Sequence, residues 1–381
     1  MRLALVGARV FDGEALLDGR AVVIEDGRIA AVVRREEIGA DIARHEVAGL
    51  LAPGFIDVQV NGGGGVLFNA QRSVAGIRTI GVAHRRFGTT GFLPTFLSDT
   101  PSRMAEAIAA VRQALAEDVP GLIGIHLEGP FLNPARRGVH DAAAIRPIGE
   151  EDVKLIVAAA AEMPVVLTVA PEKVPMATLA KLAAAGVILS AGHTGADYET
   201  VLEACRNGLR GFTHLFNAMP PLAARAPGPV GAALDSEDTW CGVIADLHHV
   251  SAPALRVTFM AKGADRMMLV SDAMPVTGTD GAGFDLGGVR ITRAGGRLTT
   301  PDGRLAGADL DMATAVRNAV EVLGLPLEAG LRMASRTPAA FLRLDAERGR
   351  IAPGYRADLV LLDDDLRATA TWIDGAREDA V

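Results

Sequence analysis

Eight short apolar runs recur along the middle of the chain, at residues 54–60, 90–95, 122–127, 165–169, 187–191, 211–215, 242–245 and 267–270. Between most of them lie Ala-rich stretches with helical spacing, such as 103–115, 153–161 and 176–184. Parallel strands need a crossover connection, so strand–helix alternation implies a parallel sheet, and eight repeats imply its closure into a (β/α)₈ barrel. The length of 381 residues accommodates such a barrel and one smaller domain. That smaller domain is expected from both chain ends. Ala21-Val22-Val23-Ile24 and Ile29-Ala30-Ala31-Val32-Val33 flank Glu25-Asp26-Gly27-Arg28, a hairpin signal, and 357–362 and 371–375 read as further strands. The reading is a β-sandwich domain from 1–50 and 346–381 and a barrel over 51–345. Within the barrel, the Gly-rich stretch 281–305 breaks the alternation as a β-hairpin insertion before a last helix at 311–322.

Composition limits the partners. Hydrophobic residues make up 49% and charged residues 22%, enough to bury a large core on a globular chain. A formal net charge of −8 argues against nucleic acid or an anionic membrane as the main partner, since both need a basic surface. The N-terminus lacks a long apolar signal region, and no uncharged stretch is long enough to span a bilayer. Two cysteines, Cys205 and Cys241, suit a reducing compartment. Together these point to a cytoplasmic location.

In barrels of this kind the chemistry stands at the C-terminal ends of the strands. Here the third run ends in Glu128, the fifth in His193, the sixth in His214 and the eighth in Asp272. One carboxylate and two neutral imidazoles suit Zn²⁺, with Fe²⁺, Co²⁺ and Mn²⁺ as alternatives. Three protein ligands leave one position open, and an ion so held lowers the pKa of a bound water to about 7. Asp272 is then placed to take a proton from that water and return it to a leaving group. His126, two residues before Glu128, faces the same way along its strand and reads as packing or support.

The motifs bear a family resemblance. Leu51-Ala52-Pro53-Gly54-Phe55-Ile56-Asp57 resembles the strand-one entry of the amidohydrolase superfamily, and 349–360 its return into the small β domain. H-L-E-G-P-F-L-N (126–133), R-G-V-H (137–140), S-A-G-H-T (190–194), T-H-L-F-N-A-M (213–219), I-A-D-L-H-H-V (244–250) and S-D-A-M (271–274) are similar to the N-acetylglucosamine-6-phosphate deacetylases within it. This resemblance implies deacetylation of that amino-sugar phosphate, with Glu128, His193 and His214 as metal ligands and Asp272 as the catalytic carboxylate. It implies that His140 lies near the substrate acetamide and that Asn217, Ala218 (through its backbone N–H), Arg225 and His249 contact the sugar phosphate. It further implies a homodimer with an active site shared across the interface, His249 coming from the neighbouring subunit. Most members of the superfamily carry His-x-His at the end of strand one; this chain has Gln59-Val60-Asn61, and amides are poor replacements for imidazole toward Zn²⁺. One divalent ion per chain is therefore expected, with Gln59 counted among the substrate contacts. The alternatives are an N-acetylgalactosamine-6-phosphate deacetylase, another amidohydrolase such as a cyclic-amide hydrolase, and a non-catalytic scaffold on the same fold.

Overall fold

The computed structural model describes residues 2–380. Eight parallel strands form one sheet in sequence order: β1 (Phe55–Val60), β2 (Thr89–Leu97), β3 (Ile125–Glu128), β4 (Val165–Val169), β5 (Ile188–Ala191), β6 (Leu209–Phe212), β7 (Trp240–Ile244) and β8 (Met267–Val270). Every residue of β1 through β5 is buried, as is expected for strands covered on both faces by helices and by the barrel interior. The crossovers carry helices α1 (Val74–Arg85), α2 (Pro101–Ala116), α3 (Glu150–Ala160), α4 (Met176–Ala184), α5 (Tyr198–Arg206), α6 (Gly228–Asp235), α7 (Ala252–Lys262) and α8 (Met312–Arg317). Local chemistry starts several of them: Ser73, Thr100, Asp197 and Asp311 each accept a hydrogen bond from a first-turn N–H.

The barrel seam matters for function. Between β8 and β1 the contact is a parallel bridge from Val60 to Ala273, with Asp272 N–H donating to Gln59 O at 3.0 Å and Ser271 N–H to Asp57 Oδ1 at 3.3 Å. The closure thus sets Asp272 beside Gln59 and Asn61.

The second unit is built from both chain ends. Leu359–Leu362 pairs antiparallel with Leu50–Pro53, Leu361 opposite Leu51, inside a six-stranded sheet. A four-stranded sheet containing Arg2–Val6, Arg20–Glu25 and Arg28–Arg34 faces it. Leu5, Val22, Ile24, Leu51, Leu359 and Trp372 fill the layer between them. The hairpin pairs Glu25 with Arg28 across Asp26 (φ 47°) and Gly27 (φ 79°), the two positive φ values that a type I′ turn requires.

Two expectations need correction. The insertion is a four-stranded antiparallel sheet, Gly283–Leu286, Val289–Ala294, Arg297–Thr299 and Leu305–Ala308, where a hairpin was expected. Nor is the helical segment after it the last: α8 runs on through a π-helical turn at Asn318–Val322, and Leu327–Ala334 and Arg336–Phe341 follow. Among the described residues no helix is long and apolar enough to cross a membrane.

Candidate metal centre and active-site cavity

Glu128 is the last residue of β3, while His193, His214 and Asp272 each lie two residues beyond β5, β6 and β8. The latter three adopt left-handed backbone, with φ of 49°, 33° and 49°. Such conformations are costly for residues with a Cβ and cluster where surrounding structure forces a side chain into a working position. The result is a tight group. Glu128 Oε1 lies 3.2 Å from His193 Nε2 and 3.0 Å from His214 Nε2, and the two nitrogens are 3.1 Å apart. All three side chains are buried, Glu128 at 2% exposure.

These distances match a metal ion. Bonds of about 2.0–2.1 Å in tetrahedral geometry separate neighbouring donors by roughly 3.3 Å. Protonation agrees. His193 Nδ1 is 2.8 Å from the Arg136 carbonyl, which can only accept, so Nδ1 carries the proton and Nε2 presents a lone pair toward Glu128. Two lone-pair atoms at 3.2 Å repel unless a cation stands between them. His126 lies apart from this group: Thr95 Oγ1 (3.1 Å) and Thr168 Oγ1 (2.7 Å) occupy both its nitrogens, and burial pushes its pKa down to about 4.

Asp272 completes the floor. Its Oδ1 accepts hydrogen bonds from Gln59 Nε2 at 3.0 Å and Asn61 Nδ2 at 2.7 Å. Burial, then the charge of Glu128, push its pKa up to about 6. Gln59 Nε2 also lies 3.3 Å from Glu128 Oε1, so one amide bridges two carboxylates. Gln59, expected as a substrate contact, is absent from the cavity lining, and its amide meets Glu128 and Asp272.

The cavity above this floor has a volume of about 210 Å³, lined in part by Asn61, His140, Asn217, Ala218, His249 and Asp272. His140 is buried, its ring edge-on to His193 with centroids 4.5 Å apart. A ring nitrogen of His140 lies within 4.8 Å of the ligand atoms of Glu128 and His193. Ser98 N–H donates to His140 Nδ1 at 3.2 Å, so the proton belongs on Nε2. Burial, with His193 next, pushes the His140 pKa down to about 3, keeping a neutral N–H donor in the cavity. His249 lines the cavity of its own chain, where a neighbour's was expected, and its Nδ1 meets Asp246 Oδ2 at 2.6 Å. Arg225 is exposed and lies outside the cavity lining.

Sequence reasoning missed several contributors. Asp246, within the quoted I-A-D-L-H-H-V, accepts both the His248 and His249 N–H groups at 2.9 Å. Leu305 and Gly307 of the insertion wall the cavity. Gly307 (φ 65°) runs so close beneath Met274 that a Cβ there would meet Met274 Cγ at 2.6 Å. The Gly-rich composition of the insertion was the available signal.

A family model described as the amidohydrolase family matches residues 50–380, and one described as the NagA composite domain matches residues 3–51. The chain belongs to the amidohydrolase family. Among family members, the N-acetylgalactosamine-6-phosphate deacetylase of Shewanella sp. (strain ANA-3) is 43% identical over 372 residues, covering 97% of this chain and 94% of that relative. The crystal structure of N-acetylglucosamine-6-phosphate deacetylase from Pasteurella multocida superposes with a TM-score of 0.96 at 32% identity, covering 100% of both chains. An aspartate-to-alanine mutant of the Mycobacterium smegmatis enzyme, in complex with N-acetyl-D-glucosamine-6-phosphate, gives a TM-score of 0.90 at 31% identity, covering 99% of each chain. As an amidohydrolase this chain is a hydrolytic enzyme, and its family uses a divalent metal.

Proposed function

We propose that this amidohydrolase deacetylates N-acetyl-D-glucosamine 6-phosphate, giving D-glucosamine 6-phosphate and acetate. The observation that carries the reading is the convergence of Glu128, His193 and His214 on one metal-sized position with Asp272 beside it, in a chain matching sugar-phosphate deacetylases end to end. Glu128, His193 and His214 hold one divalent ion, which we take to be Zn²⁺. When bound, the ion supplies Lewis-acid activation of water. Asp272 accepts a proton and delivers it to the departing amine, and its raised pKa suits both steps. Gln59 and Asn61 aim its carboxylate. His140 donates its Nε2–H to the acetamide oxygen as negative charge builds there, and Asn217, Ala218 N–H and His249 hold the sugar phosphate.

We read the assembly as a homodimer with a shared site, in which Arg225 is the residue that crosses. Supporting this, Arg225 stands exposed near exposed Leu222 and outside its own chain's cavity, while His249 lines that cavity. Two unpaired cysteines favour a reducing, cytoplasmic setting. The same reading assigns 51–345 to the catalytic barrel and 1–50 with 346–381 to the β domain.

A second reading has a specific observation behind it. The Shewanella relative, 43% identical, is named for the galacto epimer, N-acetylgalactosamine 6-phosphate. Acetate release from both epimers, assayed on protein of measured metal content, tests the two together. Higher kcat/KM for the gluco epimer supports the main reading, and the reverse order supports the second. Release from neither overturns both.

A further inference from the structure

The cavity just described is not the largest in the molecule. A second one, of about 550 Å³, opens at the opposite end of the barrel, against Leu209 and Arg210 at the start of β6 and Thr239 just before β7. Arg206, Arg210 and Arg343 line it, with Glu237 and Asp238 as the carboxylates. The Asp238 side chain is fully exposed, its nearest cation being Arg266 at 4.0 Å. None of the three lining arginines forms an ion pair among the described residues. In a chain of net charge −8, guanidiniums without ion pairs gathered at one concavity are an exception that calls for a physical account.

Arg210 is fixed in place. Its Nε donates to Phe341 O at 3.1 Å and its Nη2 to Ala340 O at 2.9 Å. Its guanidinium stacks on one face of Trp240 at 4.0 Å while Arg266 stacks on the same ring, also at 4.0 Å. Arg343, at φ 62°, lines the same cavity, and its Nη1 donates to Gly186 O at 3.5 Å. Burial first, then the like charges of Arg343 and Arg266, push the Arg210 pKa down to about 10. Arg210 and Arg343 line one cavity and their like charges repel, which a multiply charged anion bound there relieves. The planar guanidinium forks match phosphate oxygens best.

We propose that this cavity is a second ligand site, separate from the catalytic one, that binds a small phosphate-bearing anion through Arg206, Arg210 and Arg343. Its volume falls in the range of small-molecule pockets, so the anion can be inorganic phosphate or a phosphorylated sugar. The site bears on catalysis by its position. Arg210 and His214 lie four residues apart along β6 and the turn after it, roughly 13 Å. An occupant therefore holds one end of the strand whose other end carries a metal-centre histidine.

The test is calorimetric titration of inorganic phosphate, and separately of glucosamine 6-phosphate, into the metal-loaded wild type and an Arg206→Glu/Arg343→Glu variant. Both arginines are exposed surface residues, so the variant is expected to keep its fold and its kcat at low anion concentration. The wild type should bind one more anion per chain than the variant. Tighter binding of the ester at that extra site identifies a sugar phosphate as the occupant, and equal binding identifies phosphate itself. Should the double variant misfold, Arg343→Ala alone is expected to weaken the extra site by about tenfold, the loss of one charge-assisted contact. Identical stoichiometry and affinity in the wild type and the folded variant overturn the proposal.

Discussion

The two walls of the active-site cavity are made the same way and do opposite things. On one wall, Glu128, His193 and His214 leave the ends of β3, β5 and β6 and present lone pairs to a common point 3.0–3.2 Å apart. On the other, Asn61 lines the cavity just past β1, and it and Gln59, which stands outside the lining, present N–H donors to Asp272 Oδ1. Imidazole and carboxylate gather a cation; carboxamide donors gather a carboxylate. The strand-one wall is thus more than a metal site that lost its ligands. It stabilises the ionised form of Asp272 against burial and the nearby Glu128 charge, which together raise that carboxyl. On the proposed reading, one wall sets where the metal goes, and the other sets the proton affinity of the group beside it.

The largest effect is expected on the metal wall. Glu128→Ala should strip the ion and with it nearly all activity, while far-UV circular dichroism remains that of a folded barrel. Retained metal with full activity would place the ion elsewhere. Asp272→Asn comes next: metal content stays, and kcat falls by about 10²–10⁴-fold, because an amide cannot accept the proton. The same change removes one of two buried like charges. The metal-free variant should therefore melt at or above the wild-type temperature, whereas a marked fall in Tm would give Asp272 a structural role instead.

The third effect is a pH shift that belongs to the strand-one wall. In the proposed mechanism Asp272 works as its carboxylate, so kcat should fall tenfold per pH unit as acid carries the group below its pKa. The Asn61 hydrogen bond favours the charged form, so Asn61→Ala raises that pKa and moves the acid limb to higher pH. A limb that stays put would separate Asn61 from the proton transfer. The smallest effect should come from Arg225→Ala: a higher KM for the phosphorylated sugar and little change for the unphosphorylated one. Equal changes for both would remove Arg225 from phosphate recognition.

What the sequence made legible follows from the same physics. Strands buried on both faces leave mostly apolar runs, so all eight barrel strands could be read, and a polar residue at or just past the end of four of them marked Glu128, His193, His214 and Asp272. What escaped depends on partners distant in sequence. Gln59 bonds across 69 and 213 residues to Glu128 and Asp272, and His140 leans on Ser98 across 42. No local pattern encodes such pairs. The helices Leu327–Ala334 and Arg336–Phe341 were missed because they are short and are separated at Ser335 (φ −131°, ψ −76°), so no long periodicity survives. The insertion was read as a hairpin because its Gly-rich turns mark where strands end but not how many there are.

On the proposed reading, the chemistry at the acetamide carbonyl depends on one ion held by the three-residue wall and none by the amides. Metal content per chain, measured on the purified protein alongside acetate release while a chelator removes the ion and added Zn²⁺ restores it, tests this most directly. The account predicts one ion per chain and activity that follows occupancy linearly in both directions. Two tightly held ions per chain, or acetate release unchanged after the ion is gone, would contradict it.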